Sequence, residues 1–115
     1  MLNESARLDL AFQALADPTR RGMLARLSQG PASVSELARP YAISLPAVLQ
    51  HLQALEASGL VRSEKQGRVR TCRLEPKALS VAERWMSEQR AIWEGRLDRL
   101  EDYLAILKTK ENDSE

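Results

Sequence analysis

The side chains that could do chemistry fall into two kinds in this chain. There is one histidine, His51, and one cysteine, Cys72, which is too few for a soft-metal cluster. A catalytic histidine needs a nucleophile and an orienting partner, and none is patterned near His51. Residues 60–74, in contrast, carry five Arg or Lys side chains against a single acid. Glutamines stand at positions 50 and 53, beside the histidine. Cations that hold phosphates and amides that read base edges are the chemistry of nucleic-acid binding, so we expect no catalytic residues and no metal site.

A pair of helices at residues 33–59 is predicted to present these groups. Ser33 and Glu36 have the spacing of a capping box at the start of a short helix. The dipeptide Arg39-Pro40 ends that helix, because a residue before proline is disfavoured in helical conformation. Ser44 then caps a second helix, with Pro46 in its first turn and Gly59 as its stop. Its buried stripe recurs at steps of four and three residues: Val48, Leu52 and Leu55.

This arrangement is a helix-turn-helix, whose second helix can enter the major groove of DNA. The predicted DNA-binding residues of this recognition helix are Ser44, Leu45, Pro46, Ala47, Leu49, Gln50, His51 and Gln53. Leu49 is consistent with a thymine-methyl contact or with local packing. His51 is consistent with a phosphate contact, with a bridge between helices, or with a partly buried polar residue in a local hydrogen-bond network.

Two extended runs follow the recognition helix and predict a β-hairpin, or wing, at residues 60–75. The runs cover residues 60–65 and 68–74, and Gln66-Gly67 between them supplies a two-residue turn. Lys65, Arg68 and Arg70 are the predicted phosphate contacts of the wing. Cys72 alternates with the apolar positions and is expected to be a small buried hydrophobe.

The remaining segments predict flanking helices in a mainly α fold with a small hairpin. Residues 3–15 form a first helix, Asp17-Pro18 opens a second, and residues 77–108 form a long last helix. This last helix carries two neighbouring apolar stripes, more than a small monomer leaves in water. We therefore expect a homodimer, with residues 1–110 as one winged helix-turn-helix domain and 111–115 as a disordered tail. The predicted interface residues are Leu8, Phe12, Trp93, Leu97, Leu100 and Leu104.

The overall composition fits that reading. The net charge of +1 is unevenly distributed along the chain. Residues 1–80 contain 11 Lys or Arg and 7 Asp or Glu, whereas residues 81–115 contain 6 Lys or Arg and 9 Asp or Glu. A lone cysteine favours a reducing compartment. No run is apolar and long enough to cross a membrane, and no charged-then-apolar leader opens the chain, so we expect a cytoplasmic protein that has no membrane partner and needs no cofactor.

Four stretches in order resemble the ArsR/SmtB family of bacterial winged-helix repressors: ALADPTRRGMLARL, SVSELA, VLQHLQALEASGLV and GRVRTCRL. The resemblance implies a homodimeric, sequence-specific transcriptional repressor that binds double-stranded DNA at a palindromic operator. A winged-helix module for protein–protein interaction is the alternative, although five cations in fifteen residues favour DNA.

The family's known metal sites do not carry over to this sequence. One of them requires cysteines at the start of the third helix, where SVSELA has serines and a glutamate. The other requires histidine on the last helix, and residues 77–115 contain none. We expect a regulator that does not respond to metal through these sites, and no motif identifies its effector.

Overall fold

The computed structural model describes residues 3–113, which form five helices and three short strands. Their order confirms the predicted fold class, a mainly helical winged helix-turn-helix with a long C-terminal helix. The elements are α1 (Glu4–Leu15), α2 (Pro18–Leu27), β1 (Ala32–Ser33), α3 (Val34–Ala38), α4 (Leu45–Ala57), β2 (Val61–Gln66), β3 (Val69–Leu74) and α5 (Lys77–Asp113).

Side-chain caps define where the helices begin. Asp17 accepts a 3.0 Å hydrogen bond from the backbone N–H of Arg20 at the start of α2. Ser33 and Glu36 form the predicted capping box of α3, with reciprocal bonds of 3.2 and 3.3 Å. The hydroxyl of Ser44 accepts from the N–H of Ala47 at the start of α4. Each cap satisfies a backbone donor that the first helical turn leaves free, which is why short polar residues set these boundaries.

Two of these caps are carboxylates whose pKa values are lowered. For Asp17 the main cause is the hydrogen bond from the backbone N–H of Arg20, and for Glu36 it is the bond from the backbone N–H of Ser33. A lowered folded pKa means that the cap stabilises the fold above the unfolded pKa of about 4. That contribution is lost as the pH falls through the lowered value.

The core lies between the helix-turn-helix and the sheet. Val48, Leu52 and Leu55 of α4 are buried at its centre, as their spacing predicts. They meet side chains from α1, α2, α3 and the strands. The other members of this cluster are Ala14, Met23, Leu27, Ala32, Leu37, Leu60, Val61 and Cys72.

The sheet has three antiparallel strands in the order β1-β3-β2. Strand β1 is missing from the sequence-based prediction, because two residues between Pro31 and a helix cap are too few to show a strand periodicity. Ala32 pairs with Cys72 and Ser33 pairs with Thr71, so β1 joins the start of α3 to the wing. This pairing attaches the base of the wing to the helix-turn-helix.

Glycine conformations shape both ends of the hairpin. Gly59 has φ +80° where the chain leaves α4, and Gly67 has φ +63° in the turn between β2 and β3. The turn residues are Gly67 and Arg68, with Gln66 paired to Val69, one position later than predicted. Positive φ at the first central residue alone is the pattern of a type II′ turn, which glycine adopts at no steric cost. Arg68 therefore sits at the tip of the wing.

Helix α5 continues to Asp113, five residues past its predicted end. The prediction of a disordered tail is therefore wrong for residues 111–113, and residues 114–115 lie outside the described part. The helix continues because neither glycine nor proline follows Lys108 to end it.

The chain divides into two compact units, one up to Ala82 and one from Glu83 onward, so the boundary falls within α5. No helix in residues 3–113 is long and apolar enough to cross a membrane.

Candidate nucleic-acid interface

Helix α4, the recognition helix, presents three different sides. At about 3.6 residues per turn, the side opposite the buried stripe carries Pro46, Gln50 and Gln53, and all three are exposed. Ala47 and His51 lie on the side nearer α2 and are half-buried. The structure thus places the predicted glutamines where a base edge could reach them.

The third side of α4 forms one wall of an open groove, which we call the wing groove. Leu45 and Leu49 lie on this wall, one helical turn apart. The opposite wall is the wing, with the predicted phosphate contacts Lys65, Arg68 and Arg70 along it. Residues far apart in the sequence are thereby brought together in one concave surface. The remaining lining residues are Ser33, Val34, Ser35 and Val69.

Strand pairing distributes the wing cations over two faces. Lys65 pairs with Arg70 and therefore shares a face with it, the same face as buried Cys72. Arg62 pairs with Arg73 on the other face. The basic run of residues 60–74 is consequently not one patch: two cations and the tip residue Arg68 line the wing groove, and the other two lie on the opposite face.

Arg70 also belongs to a hydrogen-bond chain that ties the wing to α4. Its Nη1 donates to the hydroxyl of Ser63 at 2.8 Å, and that hydroxyl donates to the carboxylate of Glu56 on α4. Each of the two hydrogen bonds has one charged partner, so together they restrain the side chains of Arg70 and Glu56. These hydrogen bonds orient β2 and β3 against the recognition helix, so Arg70 has a positioning role in addition to its place in the wing groove.

His51 is engaged with α2. Its Nδ1 lies 3.3 Å from Nη1 of Arg20 and 3.8 Å from a carboxylate oxygen of Asp17. Since a guanidinium only donates, the Arg20 contact is a hydrogen bond when Nδ1 is the accepting nitrogen of the His51 ring. Of the three alternatives for this residue, the geometry matches the bridge between helices, in a half-buried position.

Arg20 and Arg21 have a role that the sequence did not suggest. Arg20 donates from Nε to the carbonyl of Ala14 at 2.9 Å and from Nη2 to the carbonyl of Gln13 at 2.7 Å. Arg21 donates to the carbonyl of Leu15 at 2.7 Å. These carbonyls lie in the last turn of α1, where a helix leaves backbone acceptors free, so both arginines cap that helix. The carbonyl of Gln13 also accepts from the backbone N–H of Ala16. Only the tertiary fold places them there.

We expect Arg20→Ala to lower the free energy of unfolding by about 1–3 kcal/mol, because it removes charged hydrogen bonds to α1 and to His51. Urea unfolding followed by circular dichroism measures this change. Arg21→Ala is the matched control, since it removes one bond to α1 and leaves His51 in place. An equal loss in both variants would contradict the bridging role of Arg20.

Comparison with known proteins identifies the family. The family model of a helix-turn-helix domain matches residues 15–64. The HTH-type transcriptional regulator Rv2034 of Mycobacterium tuberculosis is 47% identical over 73 residues, which is 64% of this chain and 68% of that protein. The crystal structure of an ArsR family transcriptional regulator, RHA00566, is 51% identical with a TM-score of 0.77, over 82% of this chain and 97% of that one. The chain belongs to the ArsR family.

This membership agrees with the geometry of the site. Proteins of this family are transcriptional regulators that bind DNA through a winged helix-turn-helix, and the chain is such a regulator rather than an enzyme. A second similar structure is the homodimeric winged helix-turn-helix DNA-binding domain Mb0332 of Mycobacterium bovis, determined in solution. It is 26% identical with a TM-score of 0.54, over 84% of this chain and 83% of that one.

Cys72 of this ArsR-family chain belongs to strand β3 of the wing, and its side chain is fully buried in the core. Burial raises the pKa of its thiol, which disfavours the reactive thiolate. Its surroundings are those of a small core hydrophobe, as its position in the strand predicts.

The predicted interface residues occupy two helices of the ArsR-family chain. Leu8 and Phe12 are half-buried on α1. In the second unit, exposed apolar side chains run along α5 from Trp85 to Leu107, and Trp93 is 62% exposed. We call these side chains the α5 apolar face: Trp85, Met86, Ile92, Trp93, Leu97, Leu100, Tyr103, Leu104, Ile106 and Leu107. So large a contiguous apolar surface is typical of a protein interface.

Proposed function

We propose that this ArsR-family regulator is a homodimeric repressor of a palindromic operator. The observation that carries the proposal is the wing groove, in which the side of the recognition helix that bears Leu45 and Leu49 faces three cations. A concave surface with this charge complements a phosphate backbone beside an open major groove. The glutamines on the outer side of α4 supply the bidentate amides that read adenine.

The homodimer is supported by the α5 apolar face and by the solution structure of Mb0332, which is described as homodimeric. A two-fold dimer presents two recognition helices, and these reach successive major grooves when they lie about 34 Å apart. Because the two subunits of a two-fold dimer make the same contacts, the DNA site that they bind is palindromic. The resemblance to a family of repressors supports repression, which a dimer achieves by occupying promoter DNA.

Selection of bound sequences from a random DNA pool tests the proposal. We expect a palindrome with half-site centres about 10 base pairs apart. Single half-sites or a lack of symmetry would contradict the dimeric reading. Absence of any enriched sequence would contradict specific binding and would favour a protein-interaction module.

We expect Gln50→Ala to reduce discrimination between the selected operator and random DNA by about 1–3 kcal/mol. The loss arises because an amide that pairs with a base edge helps only on the correct sequence. Fluorescence anisotropy with both DNAs at one salt concentration measures the ratio of affinities. An equal loss on both DNAs would show that Gln50 does not read a base.

We also propose that metals do not control this regulator through the family's known sites. The residues at the start of α3 are Ser33, Ser35 and Glu36, and α5 contains no histidine. Within residues 3–113, no three metal-binding side chains are grouped together. Titration of the operator complex with Zn²⁺, Ni²⁺ or arsenite is expected to leave its affinity unchanged, and release of DNA by stoichiometric metal would refute this proposal.

A further inference from the structure

Two leucines on the recognition helix are left in water although similar residues beside them are not. Leu45 is 58% exposed and Leu49 is 46% exposed, whereas Leu52 one turn away is 4% exposed. The alternative that Leu49 serves local packing therefore does not explain its exposure. Because the two residues are four apart, they lie on the same side of α4 and form one apolar strip.

The surroundings of this strip indicate what covers it. Lys65, Arg68 and Arg70 line the same groove, so its occupant is anionic as well as apolar at the contacted point. Duplex DNA has both properties, because the C5-methyl groups of thymine project into a major groove bordered by phosphates. RNA lacks that methyl group, and its deep, narrow major groove does not admit side chains.

We infer that Leu45 and Leu49 read thymine methyl groups in the operator. This inference rests on the proposed function and adds the identity of bases that the dimer selects. The two residues are roughly 6 Å apart along the helix axis, which corresponds to about two base steps. Each half-site is therefore expected to contain two thymines within about two steps of each other, on the side of the recognition helix that faces the wing.

Deoxyuridine provides the direct test, since it differs from thymidine only by the missing methyl group. Each thymine of the selected operator is replaced in turn by deoxyuridine, symmetrically in both half-sites, and affinity is measured at constant salt. We expect a loss of about fourfold for each methyl group removed at the contacted positions, the factor for burial of one such group. Thymines elsewhere in the site are expected to show no loss.

Variants assign the effect to the two leucines. In Leu49→Ala the affinity ratio between thymine and deoxyuridine should fall to near one at the position that Leu49 contacts, and Leu45→Ala should act in the same way at the other. Ile43→Ala is the matched control, because Ile43 is an exposed apolar residue that does not line the wing groove. It should leave both ratios at about sixteenfold, because a symmetric replacement removes two methyl groups per dimer at about fourfold each. Each ratio compares two DNAs with one protein sample, so a loss of folded protein cancels.

Two results would overturn the inference and leave the proposed function intact. Equal affinity for the thymine operator and for every deoxyuridine operator would exclude methyl readout while leaving sequence-specific binding intact. Methyl sensitivity that persists unchanged in Leu45→Ala and Leu49→Ala would assign the contact to other residues. A random pool from which no sequence is enriched would instead overturn the proposed function and this inference together.

Discussion

Replacing Leu97 and Leu104 with glutamate is expected to convert the proposed homodimer into a monomer. The two leucines are seven residues apart and so lie on one side of α5, within its exposed apolar face. Four carboxylates would then be buried per dimer without partners, at a cost of several kcal/mol for each buried charge. The dimer dissociation constant should rise by at least about 100-fold, since about 1.4 kcal/mol corresponds to a factor of ten.

Sedimentation equilibrium and operator binding measure the two consequences. A monomer presents only one recognition helix, so the affinity for the operator should fall when the dimer dissociates. Ala91→Glu with Ala105→Glu is the matched control: both alanines are exposed on the side of α5 that carries Asp98, away from the leucines. A native-sized dimer in the Leu97/Leu104 variant, or dissociation in the control, would refute the assignment of the α5 apolar face.

Replacing Lys65 and Arg68 with alanine is expected to weaken binding to all DNA sequences. A dimer would lose four phosphate contacts, and each contact releases counterions when it forms. The slope of log affinity against log salt concentration should therefore become shallower by about 3.6, at 0.9 for each contact. Affinity in 0.1 M salt should fall by on the order of 10³-fold, equally for the operator and for random DNA.

The hairpin itself supplies the control for this experiment. Arg62→Ala with Arg73→Ala makes the same change of charge on the opposite face of the wing. If the wing groove holds the DNA backbone, this second variant should keep most of the salt dependence. Equal effects from the two variants would mean that total charge, rather than the groove, sets the affinity. Salt-independent binding by the parent protein would contradict wing contacts altogether.

Local chemistry made much of this architecture predictable. The caps at Asp17, Ser33 and Ser44 use side chains that satisfy backbone donors within three residues, so the sequence alone defines where those helices start. The buried stripe of α4 follows from helical periodicity. The predicted end of α5 is five residues too early. The last residues of the helix carry no local stop signal, and their polar composition resembles that of a disordered tail.

Long-range contacts decided the rest of the site. Strand β1 exists only because β3 lies beside it, and pairing register decides which wing cations face α4. Arg20 gains its roles from carbonyls six and seven residues away and from a histidine 31 residues away. The sequence by itself determined a helix-turn-helix with a basic wing, since caps, periodicity and charge are local properties. Only the tertiary structure decided that Leu45 and Leu49 face a cationic groove, because that surface is shared by segments about twenty residues apart in the chain.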